Sequence, residues 1–312
     1  MAAVPRSYSA PLDNLTHSLV GLCCAEAAIR VAERRRNLGD RFRALAYGIA
    51  IVGNNLPDLD FSYSRISGKT FGYLLHHRGY THTLPAALAF AGVMLAVVLG
   101  LAKWRRAPLS RADLFTLSWL SVLSPILHIA MDFANNYGVH PFWPMYDGWF
   151  YGDSFFIIEP AFWLVLIAPI SLSFRTRIVR GTLWLMLAVA LAALWYKPFV
   201  PRSHAVGLSA FTVLLLVLAK KSTPLRRLEL SIASFAALVV CFVFGSRLAK
   251  ASVREFSSIS DPSAVTLDVV VTPMPANPFC WSAIWLLRDR GQYVVRMGTE
   301  SGFRRRRRRV ER

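Results

Sequence analysis

Long apolar stretches separated by short polar connectors organise this chain. The clearest lie at residues 84–102, 113–131, 155–172, 182–195, 205–219 and 228–245. Each approaches the roughly 20 helical residues that match the hydrocarbon thickness of a bilayer. Two weaker stretches precede them: residues 15–31, amphipathic with small residues, and the short run 44–56. The pattern predicts an all-α polytopic membrane bundle of about eight transmembrane helices. After residue 247 the period changes. Residues 264–272 read as a strand and 273–278 as a proline-rich break. Residues 279–287 and 292–297 then form a hairpin around Arg288, Asp289, Arg290 and Gly291. A small C-terminal β-rich element on the extracytoplasmic side is expected. The chain divides into an N-terminal tail (1–11), a polar-studded membrane domain (12–172), further transmembrane helices (173–247), and the β element with an Arg-rich tail (248–312). Residues 1–11 carry no apolar core of a signal peptide, so no cleavable leader is expected there.

Composition agrees. Of 312 residues, 54% are hydrophobic and only 17% charged, with mean hydropathy +0.40. A soluble domain carries about a quarter charged residues. The net charge of +18 admits a nucleic-acid binder, but its distribution argues against one. Seventeen basic residues sit in alternate connectors, around Arg34, Arg105, Arg177 and Lys220, against five in the intervening ones. That asymmetry is the positive-inside rule; it places the basic connectors in the cytoplasm and both termini outside. The arginine run at residues 304–309 reads as a solvated tail. Cys23, Cys24, Cys241 and Cys280 lack metal-type spacing and read as packing.

The chemistry is uneven along the chain. Six of seven histidines fall within residues 12–140, each at a helix end or connector on the predicted outer side. Aspartates follow them. Ionisable groups near hydrocarbon are costly and need a partner or a function; one dication would partner many. His17 sits on the first turn of the first helix. Pro57 stops the second span, and Asp58 and Asp60 project together if the segment is extended, a common arrangement for hard cations. His76, His77 and His82 crowd seven residues before the third span. His77 and His82 diverge by about 140° on an unbroken helix, so either Gly79 breaks it and both converge, or one ligates and the other supports it. Arg78 beside them suits a phosphate or carboxylate. His128 and Asp132, at i and i+4, share one helix face and can reach one metal. His140, Asp153 and Glu159 follow in and after the next outer loop, whose tryptophans and tyrosines suit a membrane interface.

The segments D-N-L-T-H-S, N-N-L-P-D-L-D, H-H-R-G-Y-T-H-T, H-I-A-M-D-F and G-V-H-P-F-W-P resemble those of the YdjM-type, LexA-regulated inner-membrane metal-dependent hydrolases, over about residues 12–172. The proline-rich segment 273–281 resembles that family's extracytoplasmic end. The family in turn is distantly similar to zinc-dependent phospholipases C and single-strand nucleases, whose ligand order of early His, Asp, His and an H-x-x-x-D helix matches His17, Asp58, His77 or His82, and His128 with Asp132. A later His-Glu or His-Asp pair of those enzymes has no counterpart here, which favours one or two metals over three. The resemblance implies hydrolysis of a phosphoester, phospholipid-like or lipid-linked, at the periplasmic face of the bacterial inner membrane. In that reading Asp58, His77, His82, His128 and Asp132 hold a divalent ion, zinc by preference, with His17 at a second position. Asp60 orients the water as general base, and Arg78 binds the charged substrate oxygen. A metal channel or transporter would need polar residues through the inner halves of the helices, which read as apolar. A metal-stabilised structural protein is the other alternative.

Overall fold

The computed structural model describes residues 13–60, 62, 78–196 and 200–301. Among them eight α-helices precede a three-stranded sheet: α1 (Asp13–Glu33), α2 (Asp40–Gly53), α3 (Leu84–Trp104), α4 (Arg111–Phe133), α5 (Pro160–Ile170), α6 (Arg177–Tyr196), α7 (Arg202–Lys220), α8 (Pro224–Ser260), β1 (Val265–Met274), β2 (Asn277–Asp289) and β3 (Gln292–Ser301). Six helices are long and apolar enough to cross a membrane. Helices α2 and α5 are shorter. At 11 residues, α5 spans about 16 Å, half of a hydrocarbon core about 30 Å thick.

The expected span at 155–172 therefore resolves differently. Glu159 caps α5 by accepting a hydrogen bond from the Ala161 amide, Pro160 starts it, and residues 155–159 are not helical. Every residue of α5 is buried, in contact with α1, α6, α7 and α8. The outward faces of the other helices carry exposed Val93, Val97, Val189, Val213 and Val240, as lipid contact requires.

Helices α1 to α4 pack as one group, α1 on α2, α2 on α4, and α3 on α4. Gly21 is where α1 meets α2: a Cβ there would lie 2.5 Å from the Ala50 carbonyl oxygen. Gly21→Ala should therefore force the two helices apart and cost about 1–3 kcal/mol, read as a lowered melting temperature of the purified protein; an unchanged melt would mean the helices separate freely. The connectors at the basic end also meet. Arg36 pairs with Asp113 at 2.9 Å, and Arg41 donates to the Ala107 carbonyl. The half of α1 nearer the basic connectors is not wholly apolar. Glu26 is buried, takes Arg30 Nε at 3.0 Å and accepts from the Tyr47 hydroxyl on α2.

The transmembrane reading of α8 ends near Gly245, yet the helix continues unbroken to Ser260, through the compositional boundary at 247. Its last turns are amphipathic: Ala249, Val253 and Ser257 are buried at four-residue spacing, against the sheet. The sheet has order β1-β2-β3, both pairs antiparallel. Trp281, Ala283, Trp285 and Leu287 alternate inward along β2. The strand positions expected from alternation agree with those observed to within a few residues. Gly245 permits the approach, since a Cβ there would sit 2.6 Å from the Pro278 carbonyl oxygen. All four cysteines are free.

Candidate metal centre

The start of α1, the end of α2, the turn before α3 and the last two turns of α4 converge at one end of the bundle, opposite the basic connectors. Local sequence sets each side chain. Helix α2 ends at Gly53 with Asn54 as its C-cap, and Pro57 then opens a 3-10 turn, Pro57–Asp60. The extended segment expected there is not found. In a 3-10 turn successive residues are rotated by about 120°, so Asp58 and Asp60 diverge instead of projecting together. They flank one ring. Asp58 Oδ1 lies 3.5 Å from His82 Nε2, and Asp60 Oδ2 lies 3.6 Å from His82 Nδ1.

Residues 78–83 form turns, with Arg78 at φ +62° and Thr83 capping α3. His82 thus precedes the helix and is fully buried. This turn keeps the segment around Gly79 off the helix; His76 and His77 lie outside the described residues. On α4, Ser124 and Pro125 are buried one turn before His128, and His128 and Asp132 face inward together.

The donor atoms of Asp58, His82, His128 and Asp132 all lie within 4.8 Å of one another. His82 Nε2 is 3.1 Å from His128 Nε2 and 2.9 Å from Asp132 Oδ2. His128 Nε2 is 3.4 Å from the same oxygen and 3.5 Å from Asp58 Oδ1. Ligands about 2.0–2.1 Å from a tetrahedral centre are separated by about 3.3–3.4 Å, and the five spacings, from 2.9 to 3.5 Å, bracket that value. Such a cluster of lone pairs is stable only around shared protons or a cation. Burial raises the proton affinity of the Asp58 carboxyl, but its hydrogen bonds to His128 and His82 outweigh burial and hold it well below the ordinary carboxylate range.

The supporting groups fix how the rings present themselves. His128 Nδ1 lies 2.7 Å from the Asn54 carbonyl oxygen; it must donate there, which leaves the Nε2 lone pair facing the cluster. His82 Nδ1 is 3.0 Å from Thr81 Oγ1, and that hydroxyl donates to Asp60 Oδ2 at 2.9 Å. Asp60 therefore stands behind His82, on the side away from the cluster, and also accepts the Arg78 amide at 2.7 Å. Arg78 is buried with Nη2 2.9 Å from Asp132 Oδ1 and Nη1 2.9 Å from Asn135 Oδ1. His17 stacks on His128 with centroids 3.8 Å apart, and its Nε2 is 3.5 Å from Asp132 Oδ1.

The later candidates stand apart. His140 reaches the Gly79 carbonyl and stacks on Trp149, fastening the loop between α4 and α5 to the turn that carries His82. Asp153 pairs with Lys250 at 2.7 Å. Glu159 accepts the amides of Ala161 and Ala276. The supporting roles of Asn54, Thr81 and Asn135 were not anticipated. Asn54, within N-N-L-P-D-L-D, was the one with a local signal, as a helix-terminating residue whose carbonyl is left without an intrahelical donor.

The chain is 30% identical over 198 residues to the inner membrane protein YbcI of Escherichia coli (strain K12), covering 59% of this chain and 96% of that protein. It is 29% identical over 109 residues to the uncharacterized protein YfhP of Bacillus subtilis (strain 168), covering 34% of this chain and 31% of that protein; the match thus spans about a third of that relative. No solved structure gives a significant match. The model of one family, described as YdjM inner membrane protein, matches residues 12–203, the region in which every residue of the four-atom cluster lies, and this chain belongs to that family.

Proposed function

We propose that this membrane protein is a metal-dependent hydrolase acting on a phosphoester, phospholipid-like or lipid-linked, at the extracytoplasmic face of the inner membrane. The observation that carries the reading is the convergence of two imidazole nitrogens and two carboxylate oxygens at tetrahedral spacing, with each histidine oriented from behind. Two nitrogens and two oxygens suit zinc or a similar borderline dication, and one such ion is the simplest occupant; His17 stands beside Asp132 for a second. When bound, the ion supplies Lewis acidity and lowers the pKa of water toward about 7. Arg78 pairs with Asp132 at 2.9 Å, orients it and adds positive charge suited to an anionic ester. Asp60 works through Thr81 and His82, orienting the ring, rather than at the water itself. The basic connectors at the opposite end of the bundle support a periplasmic site by the positive-inside rule, with α2 and α5 counted among eight passes.

The test uses the full chain purified in detergent with one equivalent of zinc or more. We expect turnover of bis(p-nitrophenyl) phosphate or of phosphatidylglycerol in mixed micelles, abolished by chelation and by His128→Ala. Metal-loaded protein that hydrolyses no phospho- or acyl-ester would overturn the reading. The buried Glu26–Tyr47–Arg30 chain favours a second reading, a transporter, because it carries polarity into the inner half of the bundle. Zinc uptake into proteoliposomes without ester hydrolysis would support that one.

A further inference from the structure

A small cavity of about 30 Å³ lies against the metal centre on the side of His17 and Asp132. Its polar lining comes from Thr16, His17, Asp132, Asn135 and Glu159, and its remaining walls are apolar, with Phe162 on α5 and Phe235 on α8 among them. A space of this size holds about one or two waters, provided that two to four polar partners face it. Those partners are present. The cavity therefore joins Asp132, a member of the cluster, to Glu159, a carboxyl that belongs to no ligand set.

Glu159 has its own setting. It is 1% exposed, and among the described residues no lysine, arginine or histidine forms an ion pair with it. Ala161 N donates to Oε1 at 3.0 Å. Ala276 N, at the turn between β1 and β2, is shared between Oε1 at 3.0 Å and Oε2 at 3.1 Å. Each carboxylate oxygen has two acceptor sites, so Oε2 keeps room for a water. The titratable groups that face it across the cavity are His17 and Asp132; α5, α8 and the sheet present only apolar side chains or backbone there. Helix capping alone would be served by a serine or threonine, which would not place a carboxyl in the cavity beside a metal centre.

We infer that Glu159 is the proton acceptor of the proposed hydrolysis, acting through water held in this cavity. The inference rests on the hydrolase reading above. In the step, the attacking water forms a bond to phosphorus and gives one proton, through the cavity water, to Glu159. The bond from phosphorus to the leaving oxygen breaks, and the same proton returns by the cavity to that oxygen. Burial, which outweighs the hydrogen bonds from Ala161 and Ala276, pushes the Glu159 carboxyl up to about 8, in the range useful for proton transfer near neutral pH.

Glu159→Gln keeps an oxygen for both backbone amides and should retain fold and zinc content. We expect its hydrolysis of bis(p-nitrophenyl) phosphate to fall about 100-fold. The wild-type rate should rise with pH as Glu159 loses its proton, and the variant should lack that limb. Phe235→Trp, which fills the cavity and leaves Glu159 in place, should slow turnover similarly. A readout that needs no turnover is infrared difference spectroscopy of the whole protein. It should show a protonated-carboxyl band that is absent in Glu159→Gln, titrates near pH 8 and shifts promptly in D2O. If wild type hydrolyses nothing yet shows this band, the hydrolase reading fails and the cavity link stands. If wild type turns over but Glu159→Gln keeps its rate and pH profile, or if the band is missing or does not exchange, Glu159 is only a cap and the inference is wrong.

Discussion

Alanine at His128 or Asp132 is expected to lower zinc affinity by well over 100-fold, read by competition with a chromogenic chelator on the purified protein. Both side chains lie on consecutive turns of α4 and donate to the cluster directly, with His128 Nε2 and Asp132 Oδ2 3.4 Å apart. Losing either opens the tetrahedron. Groups that only orient a ligand typically cost about 10–100-fold, and Asp60→Asn should fall in that range because it acts through Thr81 and His82. His140→Ala is the control. His140 binds the Gly79 carbonyl and a tryptophan face, outside the cluster, so its loss should leave affinity within a few-fold of wild type. A protein that keeps full affinity without His128 or Asp132, or loses it with His140, would move the centre away from α4.

Arg78→Met is the second change with a large expected effect. It should destabilise the metal-free protein by about 3–5 kcal/mol, the range for stranding one member of a buried ion pair. Arg78 Nη2 and Asp132 Oδ1 are 2.9 Å apart and both nearly inaccessible, so solvent cannot take over. Zinc should reverse much of the loss, since a dication beside Asp132 supplies the missing positive charge. The measurement is a pair of melts, with chelator and with saturating zinc. The wild type should gain less from zinc than the variant does. Equal gains would mean that Arg78 contributes nothing to holding Asp132 and acts elsewhere.

The parts of this site legible in sequence are those governed by short-range geometry. His128 and Asp132 share a face because helical spacing demands it, and the chain around them is a plain helix. The alternating strands of the C-terminal element were legible for the same reason, whereas α2, expected to run to Leu56 before Pro57, ends at Gly53 with Asn54 as its cap. What was not legible depends on backbone detail or on distant partners. Asp58 and Asp60 would point together on an extended segment, but a 3-10 turn separates them, and i, i+2 spacing alone does not distinguish the two conformations. The resemblance gave Asp60 the role of base; its observed position behind His82 depends on Thr81 and the Arg78 amide, 18 residues or more away. The fully buried α5 looks like any membrane span in sequence, because an all-apolar helix carries no stripe to say whether lipid or protein surrounds it. Glu26 escaped notice since its partners include Tyr47 on another helix.

That enclosure of α5 sets what mutation can do to it. A lipid-facing position such as Val97 or Val240 meets a fluid that accepts any apolar shape, so exchange among valine, leucine and phenylalanine is nearly silent there. Leu164, Leu166, Ile167 and Ile170 meet only other side chains, at crystal-like packing density, where an added or removed methylene is felt. In a chain that is apolar almost throughout, hydrophobicity therefore ceases to be the quantity under selection along these 11 residues; shape replaces it. The N-terminus of this helix, through Glu159, adjoins the metal centre, so tolerance to substitution is narrowest where the bilayer has least say.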